Sequence, residues 1–81
     1  ENAMQRTFVR VATMRILDLA VGDVVNRDAE ASSGWFVVEE IRRLPSGEIN
    51  VTNAASKGSV MGAPHDIVGV QVAKNVEQSG A

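Results

Sequence analysis

His65 is the chain's only histidine, and Asp66 follows it directly. An imidazole oriented by a carboxylate is part of a nucleophilic triad. Neighbours in extended chain point apart, however, so Asp66 is badly placed to orient the ring beside it. The pair reads as part of a turn. As metal ligands the two side chains fall short of the three or four that zinc takes, and there is no cysteine to complete the set. Glu39 and Glu40 are adjacent acids. On a strand they face opposite sides and form an acid–base couple only if a bulge turns them together. Lys57-Gly58-Ser59 ends like a phosphate-binding loop but lacks the leading glycine and the spacing of that motif. The expectation is no catalytic residue, no metal, no cofactor and no enzyme.

Binding residues are easier to find. Arg6, Arg10 and Arg15 lie in a stretch without acids between Asn2 and Leu17, and Arg27 is the only base between Asp18 and Glu40. The pair Arg42-Arg43 follows. The net charge of −2 gives no general pull toward phosphate. Binding to nucleic acid therefore requires Arg6, Arg10, Arg15, Arg42, Arg43 and Lys57 to converge on one face. Trp35 and Phe36 are adjacent, so strand alternation sends one to the core and the other outward. An outward ring beside Arg42 or Arg43 would stack on a base or anchor a protein, unless the N-terminal arm covers it through Phe8. The partner-binding candidates are thus Phe8, Arg10, Trp35, Phe36, Arg42 and Arg43.

Elements that position these residues are short. The chain has 81 residues, enough for one domain with one thin core. Its hydrophobic fraction is 44%, with valine dominant and Phe8, Trp35 and Phe36 the only aromatics. A β-branched core favours strands. Turn signals at Gly22-Asp23, Ser32-Ser33-Gly34, Pro45-Ser46-Gly47, Lys57-Gly58-Ser59 and Gly62-Ala63-Pro64 separate short apolar runs, as in a sandwich or barrel.

Thr7 to Ile16 is read as an N-terminal arm or strand, with Phe8, Ala12, Met14 and Ile16 on one parity. Val24-Val25 starts a second strand. Trp35 to Leu44 is the strongest, with a β-bulge at Glu39-Glu40 returning Ile41 inward. Pro45-Ser46-Gly47 predicts a hairpin turn, with proline at the first corner and glycine in the left-handed position. Glu48 to Thr52 alternates, with Ile49 and Val51 inward. Val60-Met61 is a further strand. Pro64-His65-Asp66 predicts a short 3₁₀ or tight turn before the last strand, Ile67 to Ala73, which turns Val68, Val70 and Val72 to one side. The runs number about five, or six with the arm. The expectation is an all-β, five- to six-stranded SH3-like small barrel. It spans residues 4–74, behind a cloning scar at residues 1–3 and ahead of a fraying tail at 75–81, with Met4 or Met14 as the natural start.

The run Leu19-Ala20-Val21-Gly22-Asp23-Val24-Val25, then Gly34-Trp35-Phe36-Val37-Val38-Glu39-Glu40-Ile41, then Pro45-Ser46-Gly47, resembles the KOW-like SH3 barrels of translation proteins. The nearest pattern is the N-terminal domain of the elongation factor P family. That family presents a basic residue at the hairpin tip, where this chain has Pro45-Ser46-Gly47, so its translation role is not implied. The chain also looks like short proteins of actinobacteria and their phages that share the Gly-Asp-Val-Val start and the Trp-x-Val strand. The resemblance implies a fold but no activity. The expected function is a non-enzymatic module that binds a protein, or itself as a homodimer through an edge strand at Thr7 to Ala12. A KOW-like nucleic-acid binder is the alternative. With no cysteine, no signal peptide and no apolar run near the ~20 residues that span a bilayer, a cytoplasmic location without membrane contact is expected.

Overall fold

The computed structural model describes residues 7–75, with side chains described from Arg10 to Val72. Expectations for residues 1–6, for the Phe8 side chain and for the tail past Asn75 lie outside the described residues. Within them the chain is all-β: seven antiparallel strands in two sheets, with one 3₁₀ turn. The strands are β1 (Thr7–Arg15), β2 (Val24–Asn26), β3 (Phe36–Val37), β4 (Glu40–Arg43), β5 (Ile49–Asn53), β6 (Gly58–Gly62) and β7 (Ile67–Asn75). One sheet has the order β1-β7-β2-β3 and the other β4-β5-β6.

Alternating sequence explains which faces are buried. Across the larger sheet, Ala12, Val70, Val25 and Phe36 lie opposite one another in a row. Val70, Val25 and Phe36 of that row are buried. In the smaller sheet Ile49 and Val51 of β5 and Val60 of β6 turn inward, as their alternation requires. Ile16, Leu19, Val38 and Val68 complete the buried apolar set, and Met14 packs against it. Valine supplies most of this core, and Phe36 is its one aromatic ring among the described residues. That ring lies against Gly58 of β6, so it spans the space between the two sheets.

The long strand expected over Trp35 to Leu44 is divided. Val38 N donates to Asp23 O at 2.7 Å, and Val38 O accepts from Gly22 N at 2.9 Å. One residue later, Glu39 N donates to Thr52 O at 3.0 Å. The segment thus leaves β2 and joins β5 between Val38 and Glu39. A bend carries it from one sheet to the other in place of a bulge inside one ladder, a usual way to turn a corner between packed sheets. Ile41 does share its face with buried Val51, its register partner. It is nevertheless 37% exposed, because β4 is the edge of its sheet.

Turns follow their residues. Gly47 N donates to Leu44 O at 2.9 Å and Leu44 N to Glu48 O at 2.8 Å. Gly47 takes φ +96°, the left-handed corner that closes a three-residue hairpin. Ala20 and Asp23 bond reciprocally around Val21-Gly22: Asp23 N donates to Ala20 O at 3.1 Å, and Ala20 N to Asp23 Oδ2 at 2.9 Å.

Of the two forms expected ahead of the last strand, 3₁₀ or tight turn, the tight one is present, and the 3₁₀ turn lies elsewhere. It occupies Ile16–Asp18, directly after β1. Ahead of β7 stands a tight turn, with Asp66 N donating to Ala63 O at 3.0 Å and the Asp66 carboxylate accepting Ala63 N at 2.9 Å. The aspartate closes that turn in a single step, leaving no helical repeat to propagate. The two turns are joined, with Ile16 N donating to Asp66 O at 2.9 Å and Leu17 N to Pro64 O at 3.1 Å.

Among the described residues, β1 pairs only with β7 and β6 only with β5. No closed hydrogen-bonded barrel is seen among the described residues.

Candidate functional site

The residues with chemical promise are engaged in local structure. Glu39 accepts Ala54 N through Oε1 at 3.1 Å, while Glu40 pairs with Arg42 at 3.1 Å. The two carboxylates thus have separate tasks. His65 is exposed on its turn, and Asp66 is occupied with Ala63 N. Lys57 sits at φ +64° in the β5–β6 turn, with its N–H donating to Ala54 O at 3.3 Å. Among the described residues no three His, Asp or Glu side chains gather where they could hold a metal, no pocket opens, and no helix is long and apolar enough to cross a membrane.

Asn53 organises this region, and its sequence context gave no sign of it. Its Nδ2 donates to Val37 O at 2.8 Å. Its Oδ1 accepts Ala55 N at 3.0 Å and Ser56 N at 3.2 Å. With Glu39 it fastens the β5–β6 turn to the point where the chain changes sheets. An asparagine at a strand end is a common turn-former, but the contact with Val37 spans sixteen positions and leaves no local signal. Asn53→Ala is expected to cost ~1–2 kcal/mol, from turn and carbonyl partners lost together. A urea midpoint unchanged from the parent chain would refute that role.

Of the two aromatics, Phe36 is the buried one, at 6% exposure, and so is a core residue and no surface anchor. Trp35 is half-buried, and its indole N–H donates to Ala31 O at 2.9 Å. It braces its own loop, which is also held by Asn26 Nδ2 donating to Ser33 O at 2.8 Å and by Asn26 Oδ1 accepting Asp28 N at 2.9 Å. Ala29 of this loop packs over Gly69 of β7, covering part of the larger sheet's outer face.

The candidate cations are dispersed. Arg15 is paired with Asp18 at 3.0 Å and Arg42 with Glu40. Five positions separate Arg10 from Arg15, so they lie on opposite faces of β1, as neighbours Arg42 and Arg43 do on β4. Lys57 stands on the β5–β6 turn, and Arg6 lies outside the described residues. Arg27, the lone base of the acidic segment and not among the candidate binding residues, donates from Nη2 to Met61 O at 2.9 Å and so reaches from the loop after β2 to β6.

Among the described residues, two features of the larger sheet have no partner. On its outer face Val11, Gln71, Val24 and Val37 form one row across all four strands. Val11 and Val37 are 48% and 47% exposed. Beside that row runs the free edge of β1, nine residues long and paired with β7 without interruption from Thr7↔Asn75 to Arg15↔Ile67. Comparison of the chain with protein-family models, curated proteins and solved structures finds no match.

Proposed function

We propose that this chain is a non-catalytic binding module that takes up another polypeptide by strand addition along β1. The reading rests on the length and regularity of the β1 edge. A strand edge presents a row of unpaired N–H and C=O groups, and proteins ordinarily blunt it with proline, bulges or brevity. Nine residues without proline or bulge form a template for an added strand. Val11, with Val24 and Val37 beyond Gln71 in the same row, would give side-chain contacts beside the new ladder. The wider scaffold is read as an SH3-like barrel split into two sheets. The segment from Phe36 to Arg43 that bends between them, and the β4-β5-β6 meander, support that reading.

Immobilised chain is expected to retain protein, either from a lysate of its source cell or as an added copy of itself, and to do so after nuclease treatment. Val11→Arg should abolish retention. Retention lost on nuclease treatment and falling steeply with salt would shift the reading to nucleic acid. Retention unaffected by Val11→Arg would remove β1 from the interface.

A further inference from the structure

We infer that the polypeptide taken up by β1 is a second copy of this chain, joined antiparallel about a twofold axis through Val11. The inference rests on the strand-addition reading above and adds the partner and the register.

The first argument is length. A twofold axis normal to the sheet keeps the core faces of both copies on the same side. Opposed residues must then share a parity, so the axis passes through a residue position. Strand β1 runs from Thr7 to Arg15, and its midpoint is Val11. Only the register centred there pairs every residue of the strand with one of its copy.

Charge is compatible with this register and excludes its N-terminal neighbour. Centred on Val11, position 10 faces position 12 of the copy and position 15 faces position 7. Each arginine thus meets a neutral residue, alanine or threonine. A shift of the axis by one residue toward the N-terminus would set Arg10 directly against Arg10 of the copy, a destabilising pair of like charges. At the axis itself Val11 meets Val11, both from half-exposed positions. The outer-face row Val37–Val24–Gln71–Val11 then continues into its own mirror sequence in the copy, across one eight-stranded sheet built from two four-stranded ones.

The other edges are less suited to this. Strand β3 has two residues and β4 four. Strand β6 has five, and the Arg27 guanidinium already occupies its Met61 carbonyl. Strand β1 is the longest free edge among the described residues.

The chain lacks cysteine, so single introduced thiols report the register without interference. Directly opposed residues in an antiparallel ladder have Cα atoms about 4.5–5.5 Å apart, within disulfide reach. Val11→Cys is therefore expected to oxidise to a covalent dimer. Thr13 would face position 9 of the copy, leaving the two Thr13 positions four residues out of step, roughly 13 Å along the strand. Thr13→Cys should stay uncrosslinked. The unmodified chain should sediment as a dimer. Val11→Arg, which opposes two cations at the axis, should sediment as a monomer with an unchanged far-ultraviolet circular dichroism spectrum. Crosslinking through Thr13→Cys and not Val11→Cys would overturn this register. A monomeric native chain at its highest soluble concentration would overturn the self-pairing. Such a monomer that still retained a foreign polypeptide, and lost it on Val11→Arg, would leave the strand-addition reading standing. One that retained nothing would remove both.

Discussion

Phe36→Ala is expected to lower the thermal midpoint by more than ~10 °C, the largest loss from any single truncation in this core. Removing a buried aromatic ring costs ~3–5 kcal/mol, from lost transfer energy and the cavity left behind. A domain of this size has about 4–12 kcal/mol to lose. Phe36 is also the only aromatic in the buried set among the described residues, and the valines of that set are too short to collapse into its place. Its ring reaches β6 of the other sheet at Gly58, so the loss falls on the contact between sheets as well as on β3. Circular dichroism during heating measures the shift. A midpoint within a few degrees of the parent chain would show that the ring does not bridge the sheets.

Gly58→Ala tests the other side of that contact and has the opposite geometry, overfilling in place of a void. A Cβ at Gly58 would stand 2.7 Å from the Cβ of Phe36, closer than side chains approach. Rotating the phenyl ring cannot relieve a clash with the atom that joins it to the backbone. Either β3 or β6 must move, and overpacking of this kind costs ~1–3 kcal/mol. The expected result is a urea midpoint lowered in proportion, with the slope of the transition unchanged. Since Gly58 does not take a positive φ, the loss would be steric. An alanine variant as stable as the parent would mean that Phe36 sits elsewhere.

Much of the local structure was legible because it is encoded over two to four neighbouring residues. Pro45, Ser46 and Gly47 carry the hairpin in their own backbone preferences, and Gly47 takes the positive φ expected of it. Ile49 and Val51 alternate with polar neighbours and are buried accordingly. The Gly22-Asp23 turn likewise matched, with Asp23 bonding the nearby Ala20 amide. What the residues do not encode locally is which strand lies beside which. The apolar opening of the Trp35–Leu44 run gives no sign that its partner changes after Val38, since a bend between sheets and a bulge within one both return the side chains inward. Ile41 illustrates the limit: its direction follows from alternation, but its exposure follows from the edge position of β4. The 3₁₀ turn was misplaced for a related reason. Residues 16–18 and 63–66 are bonded to each other across the fold, and no periodicity in the chain distinguishes which of the two winds into a helical turn. For the candidate surface, composition pointed to arginines and aromatics. Phe36 went to the core, Trp35 to its own loop, and Arg15 and Arg42 to local carboxylates. What remained was the edge of β1, an element the sequence did suggest through its run of apolar residues without acids.

The pairing of β1 with β7 also has a consequence for the order of events on the ribosome. The β4-β5-β6 meander needs only neighbouring residues and can assemble as soon as it emerges. Strand β1 is made before the other six, and its partner among the described residues, β7, is complete about 60 residues later. At bacterial and eukaryotic elongation speeds of ~5–20 residues per second, the delay is ~3–12 s. During that interval both edges of β1 are open, and nascent chains on one message carry identical copies of it within reach of each other. The surface that would join two finished molecules is thus also the one most in need of shielding while each is being made.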